Sequence, residues 1–164
     1  MIGAADVAVR DARDLADRTD VETLVRTFYA RAFEDPLLGH VFLEIARLDL
    51  DAHLPVMCDF WDTALFRAGL YRRNAFEVHA RLHAKSPLTA AHFRRWLELW
   101  VATTDALFTG PRAETAKIQA GRIAWAISRR LLGSADDALL AEEPRRALRT
   151  HERDWAVQPG GGRP

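Results

Sequence analysis

The chain is expected to be all-α, on three observations. Apolar residues recur at helical spacing through long segments; capping residues, glycines and prolines bound those segments; and no segment alternates apolar and polar residues between turn signals. Five or more helices are expected, of unequal length and joined by irregular connections.

The polar stretch from Asp6 to Asp17 reads as a short leading helix or a frayed arm. A helix then begins at Thr19 or Asp20, with Val21, Leu24, Val25, Phe28 and Ala32 on one face. It ends near Asp35-Pro36, because the residue before proline is pushed out of the helical region. Leu37 to Phe42 is a short apolar connection, a turn or a short helix. A second long helix begins near Asp49 or Asp51 and runs to about Ala68. Its stripe is Leu50, His53, Met57, Phe60/Trp61, Ala64/Leu65, Ala68, with Pro55 in or just after the first turn and Gly69 at the end. Asn74 caps a short helix carrying His79 and His83, which ends before Pro87. Thr89 caps the next, with Phe93, Trp96/Leu97, Trp100, Thr104 and Leu107/Phe108 inward and Gly110-Pro111 closing it. The last strong helix spans about Arg112 to Leu132, with Ala116, Ala120, Ile123, Ile127 and Leu131 inward and Gly133 as its cap. Ser134 opens a weaker helix through Ala141. The division is thus an arm or short helix at 1–18, a main domain at 19–133, and a weak helix with a flexible tail at 134–164.

Composition narrows the function classes. At 164 residues and 49% hydrophobic content the chain is one ordered domain, large enough for a core that encloses a cavity. Lys plus Arg and Asp plus Glu balance at 23 each, so charge argues for neither nucleic acid nor an anionic membrane. No apolar run is long enough to span a bilayer, and the first residues lack the apolar core of a signal peptide. The single Cys58 excludes an internal disulfide framework and a CxxCH haem attachment. We expect a cytoplasmic monomer with no nucleic-acid or membrane partner.

The residues able to carry chemistry are Tyr29, Phe42, His53, His79 and Trp96. His79 reads either as a helix-surface histidine or as the single neutral imidazole that a haem iron takes on its proximal side. His83 follows it by one turn. The run His-Ala-Arg-Leu-His is not a zincin motif, because Ala80 stands where the glutamate would be. His83 would meet a propionate or face solvent. His53 shares an apolar face with Met57 and needs a partner when buried. It is either a core histidine bonded to a carbonyl or a donor to a ligand on the far side of the iron. Tyr29 is a margin tyrosine or a second donor. Trp96 and Trp100 are an i, i+4 pair, and the indole of either can donate but not accept. Phe42, Phe60 and Trp61 read as core, and Phe42 also suits the face of a porphyrin. Arg72 and Arg73 stand near the proposed proximal helix, and one of them, Arg73 in our assignment, would pair a propionate. The other basic doublets read as solvated faces. His40 and His92 read as surface residues near helix starts, and His151 lies in the polar tail. GxGxxG, P-loop, GxSxG and Glu-x-x-His motifs are absent.

Together these segments resemble the group III truncated haemoglobins. The match runs in order through Val25-Arg-Thr-Phe-Tyr29, Asp35-Pro-Leu-Leu-Gly-His-Val-Phe42, His53-Leu-Pro-Val-Met-Cys-Asp-Phe-Trp61, His79-Ala-Arg-Leu-His83 and Pro87-Leu-Thr-Ala-Ala-His-Phe-Arg-Arg-Trp96. The resemblance covers roughly residues 20 to 132. It implies a shortened globin fold, a two-over-two helical sandwich around haem b. By position His79 matches the proximal ligand, Tyr29, His53 and Trp96 the distal residues, and Phe42 the phenylalanine on the porphyrin; Met57 lies one turn beyond the distal histidine. Where the family often has Tyr-x-Gly-Asn-Pro, this chain reads Tyr71-Arg-Arg-Asn-Ala75.

The expected function is reversible binding of dioxygen, carbon monoxide and nitric oxide at ferrous haem. Three distal donors exceed the needs of oxygen delivery and suggest nitric oxide dioxygenation, peroxidase-like turnover or sensing, with an unidentified reductase. The rival readings are a helical interaction module without cofactor and a haem storage or transfer protein.

Overall fold

The computed structural model describes residues 12–66, 69 and 74–140. Among them are five α-helices, one π-helix, one short 3-10 turn and no strand. The helices are α1 (Arg18–Glu34), α2 (Leu50–Phe66), α3 (Ala75–Lys85), α4 (Ala90–Leu107) and α5 (Pro111–Leu132), with the π segment at His40–Ile45 and the turn at Asp137–Leu139. α1 pairs with α2 and α4 with α5, and the two pairs face each other through α1 against α4 and α2 against α5. This is the expected two-over-two sandwich, and α3 lies outside it against α5.

Local chemistry accounts for most of the boundaries. α1 starts slightly earlier than its pattern suggests, because Asp17 rather than Thr19 or Asp20 is the cap. Its carboxylate accepts from the Asp20 N–H at 3.2 Å. Asp20 in turn accepts from the Ala16 N–H at 2.8 Å and from both terminal nitrogens of Arg13. The inward face of α1 is as its spacing dictates: Val21, Leu24, Val25, Phe28 and Ala32 are all buried. α2 is capped by Asp49, whose carboxylate accepts from the Ala52 N–H at 3.3 Å. Pro55 lies inside α2, past the first turn, and cannot donate to the Asp51 carbonyl. Arg18 compensates at this weakened point. Its guanidinium donates to the Pro55 carbonyl at 3.3 Å, to Asp59 at 2.7 Å and to Asp62 at 2.6 Å, tying the start of α1 to α2.

Residues 12–16 are neither a leading helix nor a frayed arm. Leu15 is fully buried, and the Thr109 N–H donates to the Arg13 carbonyl at 3.1 Å. Asp14 caps α5 from far away in sequence, accepting from the Arg112 and Ala113 N–H groups at 2.9 Å each. This contact requires Gly110. Its φ of +135° is closed to most side chains, and a Cβ there would lie 2.6 Å from the Asp14 Cγ.

The Leu37–Phe42 connection leads into the π segment, in which the Ala46 N–H reaches back five residues to the Val41 carbonyl at 2.8 Å. Arg47, at a φ of +49°, turns the chain out of it. Asp35 braces the corner before it. One carboxylate oxygen accepts from the Leu37 and Leu38 N–H groups at 3.1 and 3.0 Å, and the other accepts from Arg95 Nε at 2.7 Å. Arg95 is therefore more than the solvated basic residue its sequence context suggests. Gly39 lets this corner close, because a Cβ would stand 2.5 Å from the Phe33 carbonyl oxygen.

The expected helix from Ser134 to Ala141 does not form. Residues 134–136 are non-helical, and the turn at Asp137–Leu139 packs on α4 and α5 with Leu139 fully buried. Burying Leu139 prevails over a sequence with weak helical drive. Ala68, Arg73, Ala141 and the tail lie outside the described residues.

Replacing Asp14 with Ala removes two caps of α5 and is expected to cost about 1–2 kcal/mol, read as a lower denaturation midpoint in guanidinium. Asp35 supplies a pH signature. Burial raises its pKa, but the Leu38 N–H, the Arg95 guanidinium and the Leu37 N–H outweigh that and hold the carboxyl below its usual 3.8. A carboxyl lowered by folding stabilises the fold above the unfolded pKa and loses that contribution as pH falls through the folded one. Between about pH 5 and pH 3 the parent protein should therefore lose more stability than Asp35→Asn, compared by urea unfolding at each pH.

Candidate functional site

α1 and α2 meet at a polar pair set in an aromatic wall. The hydroxyl of Tyr29 lies 3.2 Å from Nε2 of His53. Tyr29 is buried, and burial holds its pKa far above the ordinary value of 10, so the phenol keeps its proton and remains a donor. Three rings position it. Phe28 stands edge-on at 5.3 Å, Phe42 edge-on at 5.5 Å, and Phe33 tilted at 5.7 Å. Phe42 comes from the π segment, so the Asp35 corner also aims this ring. The His53 ring stands edge-on to Tyr29 at 5.8 Å. Phe33 escaped the sequence reading; it lies one turn after Tyr29, and that spacing was the signal available.

α3 presents two histidines whose hydrogen bonds assign them opposite tautomers. Nδ1 of His79 lies 2.7 Å from the Ala75 carbonyl, which can only accept, so Nδ1 carries the proton. Its Nε2 then holds a lone pair, and no described residue bonds it. Burial pushes the His79 pKa down against the opposing pull of the Ala75 carbonyl, which keeps the ring neutral near pH 7. His83 is the reverse. Its Nδ1 accepts from the Leu88 N–H at 2.9 Å, so in the neutral ring Nε2 carries the proton. His79 can give an electron pair to a metal. His83, so engaged, ties the α3–α4 loop and offers a donor.

α3 itself is begun by Asn74, which accepts from the Glu77 N–H at 3.2 Å, as its sequence suggests. None of its residues is fully buried, although Phe76, His79 and Leu82 recur at helical spacing. It meets α5 in part through Arg130, whose guanidinium lies 3.6 Å from the Phe76 ring centre. Among the described residues no group of three or more His, Cys, Asp or Glu side chains could cage a metal ion.

Trp96 on α4 is half-buried. It stands edge-on to Phe28 at 5.8 Å and lies nearly parallel to Trp100, with ring centres 6.0 Å apart and planes 8° apart. Trp100 stacks in turn on Trp61 of α2 at 4.3 Å and 15°, and its Nε1 donates to the Ala116 carbonyl at 3.2 Å. Trp61 is thus a core residue, one member of a three-indole stack, with Phe60 edge-on to it at 5.3 Å. Met57 and Phe60 are partly buried and pack against the same core. Of the other histidines, exposed His40 pairs with Glu44 at 2.8 Å, and His92 accepts from the Thr89 N–H at 3.0 Å to close the start of α4. Arg73 and His151 lie outside the described residues. Cys58 is buried, which raises its thiol to about 11 and leaves it protonated and unreactive at neutral pH.

The structure is similar to that of a group III truncated hemoglobin from Campylobacter jejuni. The TM-score is 0.65 and the identity 20%, over 73% of this chain and 94% of that one. The fold is therefore that of a truncated globin. No family model matches the chain, and no curated protein matches it either. No helix of the described residues is long and apolar enough to cross a membrane.

Proposed function

We propose that this protein binds haem b, with His79 as the proximal ligand, and takes up dioxygen, carbon monoxide or nitric oxide on the side facing Tyr29 and His53. The observation that carries the reading is the His79 tautomer. A helix carbonyl one turn back holds the Nδ1 proton and frees Nε2 for iron, and metal-binding imidazoles commonly donate their other ring N–H to a carbonyl in this way. The truncated-globin fold and the loosely buried α3 support it, since a helix fronting a cofactor leaves its inner face for the cofactor to cover.

Bound haem would supply a ferrous iron with one open coordination position. The chain's own residues do the rest. The Tyr29 hydroxyl has one proton to give. If His53 donates from Nε2 to the phenol oxygen, that proton is released toward the pocket, and the two groups act as one polarised donor chain. Trp96 adds an indole N–H. Phe42 would pack on the macrocycle, with Met57 and Phe60 filling the apolar wall. Trp61 would support that wall from behind, through its edge-on contact with Phe60. Nε2–H of His83 and the guanidinium of Arg73 would serve the propionates. Donors of this number favour slow ligand release, which suits nitric oxide dioxygenation or peroxide turnover by a cytoplasmic monomer served by a separate reductase.

His79→Gly should lose the Soret band of the reconstituted protein, and added free imidazole should restore it. A normal band in His79→Gly without imidazole would transfer the ligand role to His83. If the folded parent protein takes up no haem at all, a cofactor-free helical interaction module replaces this reading. Tyr29→Phe should speed dioxygen dissociation by about tenfold to a hundredfold, as expected for a hydrogen bond to a charged acceptor; stopped-flow displacement by carbon monoxide measures it, and an unchanged rate would remove the phenol from the pocket.

A further inference from the structure

Trp96, Trp100 and Trp61 lie in near-parallel file, with ring centres 6.0 and 4.3 Å apart and planes within 15° of their neighbours. The file begins at the half-buried Trp96, whose edge-on neighbour Phe28 also packs on Tyr29, and runs into the core, where Trp100 and Trp61 are buried. Core packing accounts for one such ring. Isolated aromatic pairs are satisfied by edge-to-face as well as by stacked geometry, and Phe28 stands edge-on to both Trp96 and Trp100. Trp61 and Trp100 instead lie face to face, and Trp96 lies parallel to Trp100 at a wider spacing.

We propose that this stack is a one-electron donor to the pocket, which gives up an electron when hydrogen peroxide is reduced there and keeps the oxidising equivalent on indole. The inference rests on the haem reading above. Indole and phenol are the side-chain rings most easily oxidised, so the competitor is Tyr29. The stack has two advantages over it. An indole radical cation shared between the face-to-face Trp100 and Trp61 spreads its charge, which lowers the cost of holding that charge away from water. The N–H of Trp100 also points at the Ala116 carbonyl, a neutral acceptor that does not take the proton, so the electron leaves without a proton transfer. Oxidation of Tyr29 instead needs its proton moved to His53.

One hydrogen peroxide accepts two electrons and two protons, its O–O bond breaks, and two waters form. The electrons pass singly through the stack. Each is replaced by a small phenol, which loses one electron and its hydroxyl proton and becomes a phenoxyl radical. Two phenols are consumed per peroxide.

The test uses the full-length ferric haem-loaded protein, with loading first checked by its Soret band. It is mixed with hydrogen peroxide, frozen and examined by electron paramagnetic resonance, in samples carrying ring-deuterated tryptophan or ring-deuterated tyrosine. The radical signal should narrow with labelled tryptophan, and most of that signal should disappear in Trp100→Phe, with added oxygen then mapped by mass spectrometry to Tyr29 or Trp96 rather than Trp61. Trp61→Phe trims the far end of the file and should weaken the tryptophan signal in the same direction, which keeps the test valid if Trp100→Phe does not fold. A loaded protein that forms no radical, whose signal narrows only with labelled tyrosine, or whose tryptophan signal survives both substitutions overturns the proposal and leaves the haem reading standing. Failure to load haem overturns both.

Discussion

The hydroxyl of Tyr29 and the imidazole of His53 meet at 3.2 Å inside a wall of aromatic rings, and holding them there is the condition that the surrounding helices satisfy. A buried phenol and a half-buried imidazole each carry a desolvation cost that a partner offsets. The pair joins two helices, so α1 and α2 cannot slide past one another without breaking it. Pro55 would allow such a slide, because it removes a rung of α2 within one turn of His53. The Arg18 guanidinium prevents it, gripping the Pro55 carbonyl and the Asp59 and Asp62 carboxylates together. Asp62 is buried, so breaking this grip would leave a carboxylate without its cation.

The second layer is held by contacts of another kind. Phe28 reaches across from α1 to meet Trp96 and Trp100 on α4 edge-on, and Trp100 meets Trp61 of α2 face to face. The same rings that fill the core therefore also fix the position of Trp96. Asp35 does comparable work at the corner, where one carboxylate collects two backbone N–H groups and a guanidinium from α4. The π segment begins five residues later, so the brace on that corner also sets where Phe42 points.

The features legible in the sequence were those decided locally. Asn74, Pro36 and the glycines bound helices by backbone chemistry that acts within a few residues, and the apolar spacing of α1 and α5 placed Phe28 and Ala120 inward. Tyr29, His53 and His79 stood out as candidates because a phenol or imidazole among apolar neighbours needs a polar partner, whether structural or functional. What escaped was set by distance. Asp14 caps a helix 98 residues away from it in sequence, and no pattern around Asp14 announces that. The indole stack depends on side chains of α2 and α4 meeting across the core, which spacing within one helix does not reveal. The helix expected after Ser134 was lost for the converse reason. Its weak local propensity was outweighed by the burial of Leu139 against the two long helices.

His79 and His83 differ in their hydrogen bonds. The two rings are one helical turn apart, of the same residue type, on the same short helix. Sequence spacing treats them as equals. Their hydrogen bonds do not. A carbonyl beside Nδ1 of His79 can only accept, so the ring must donate there and keep its other nitrogen basic. An amide N–H beside Nδ1 of His83 can only donate, so that ring uses a lone pair there and, when neutral, carries its proton on Nε2. Reversing the roles would require two backbone groups to change partners, each at the cost of leaving a polar group unsatisfied. The backbone of α3 and its following loop has thus already distributed the protons, and it leaves one nitrogen, on His79, with an electron pair to offer.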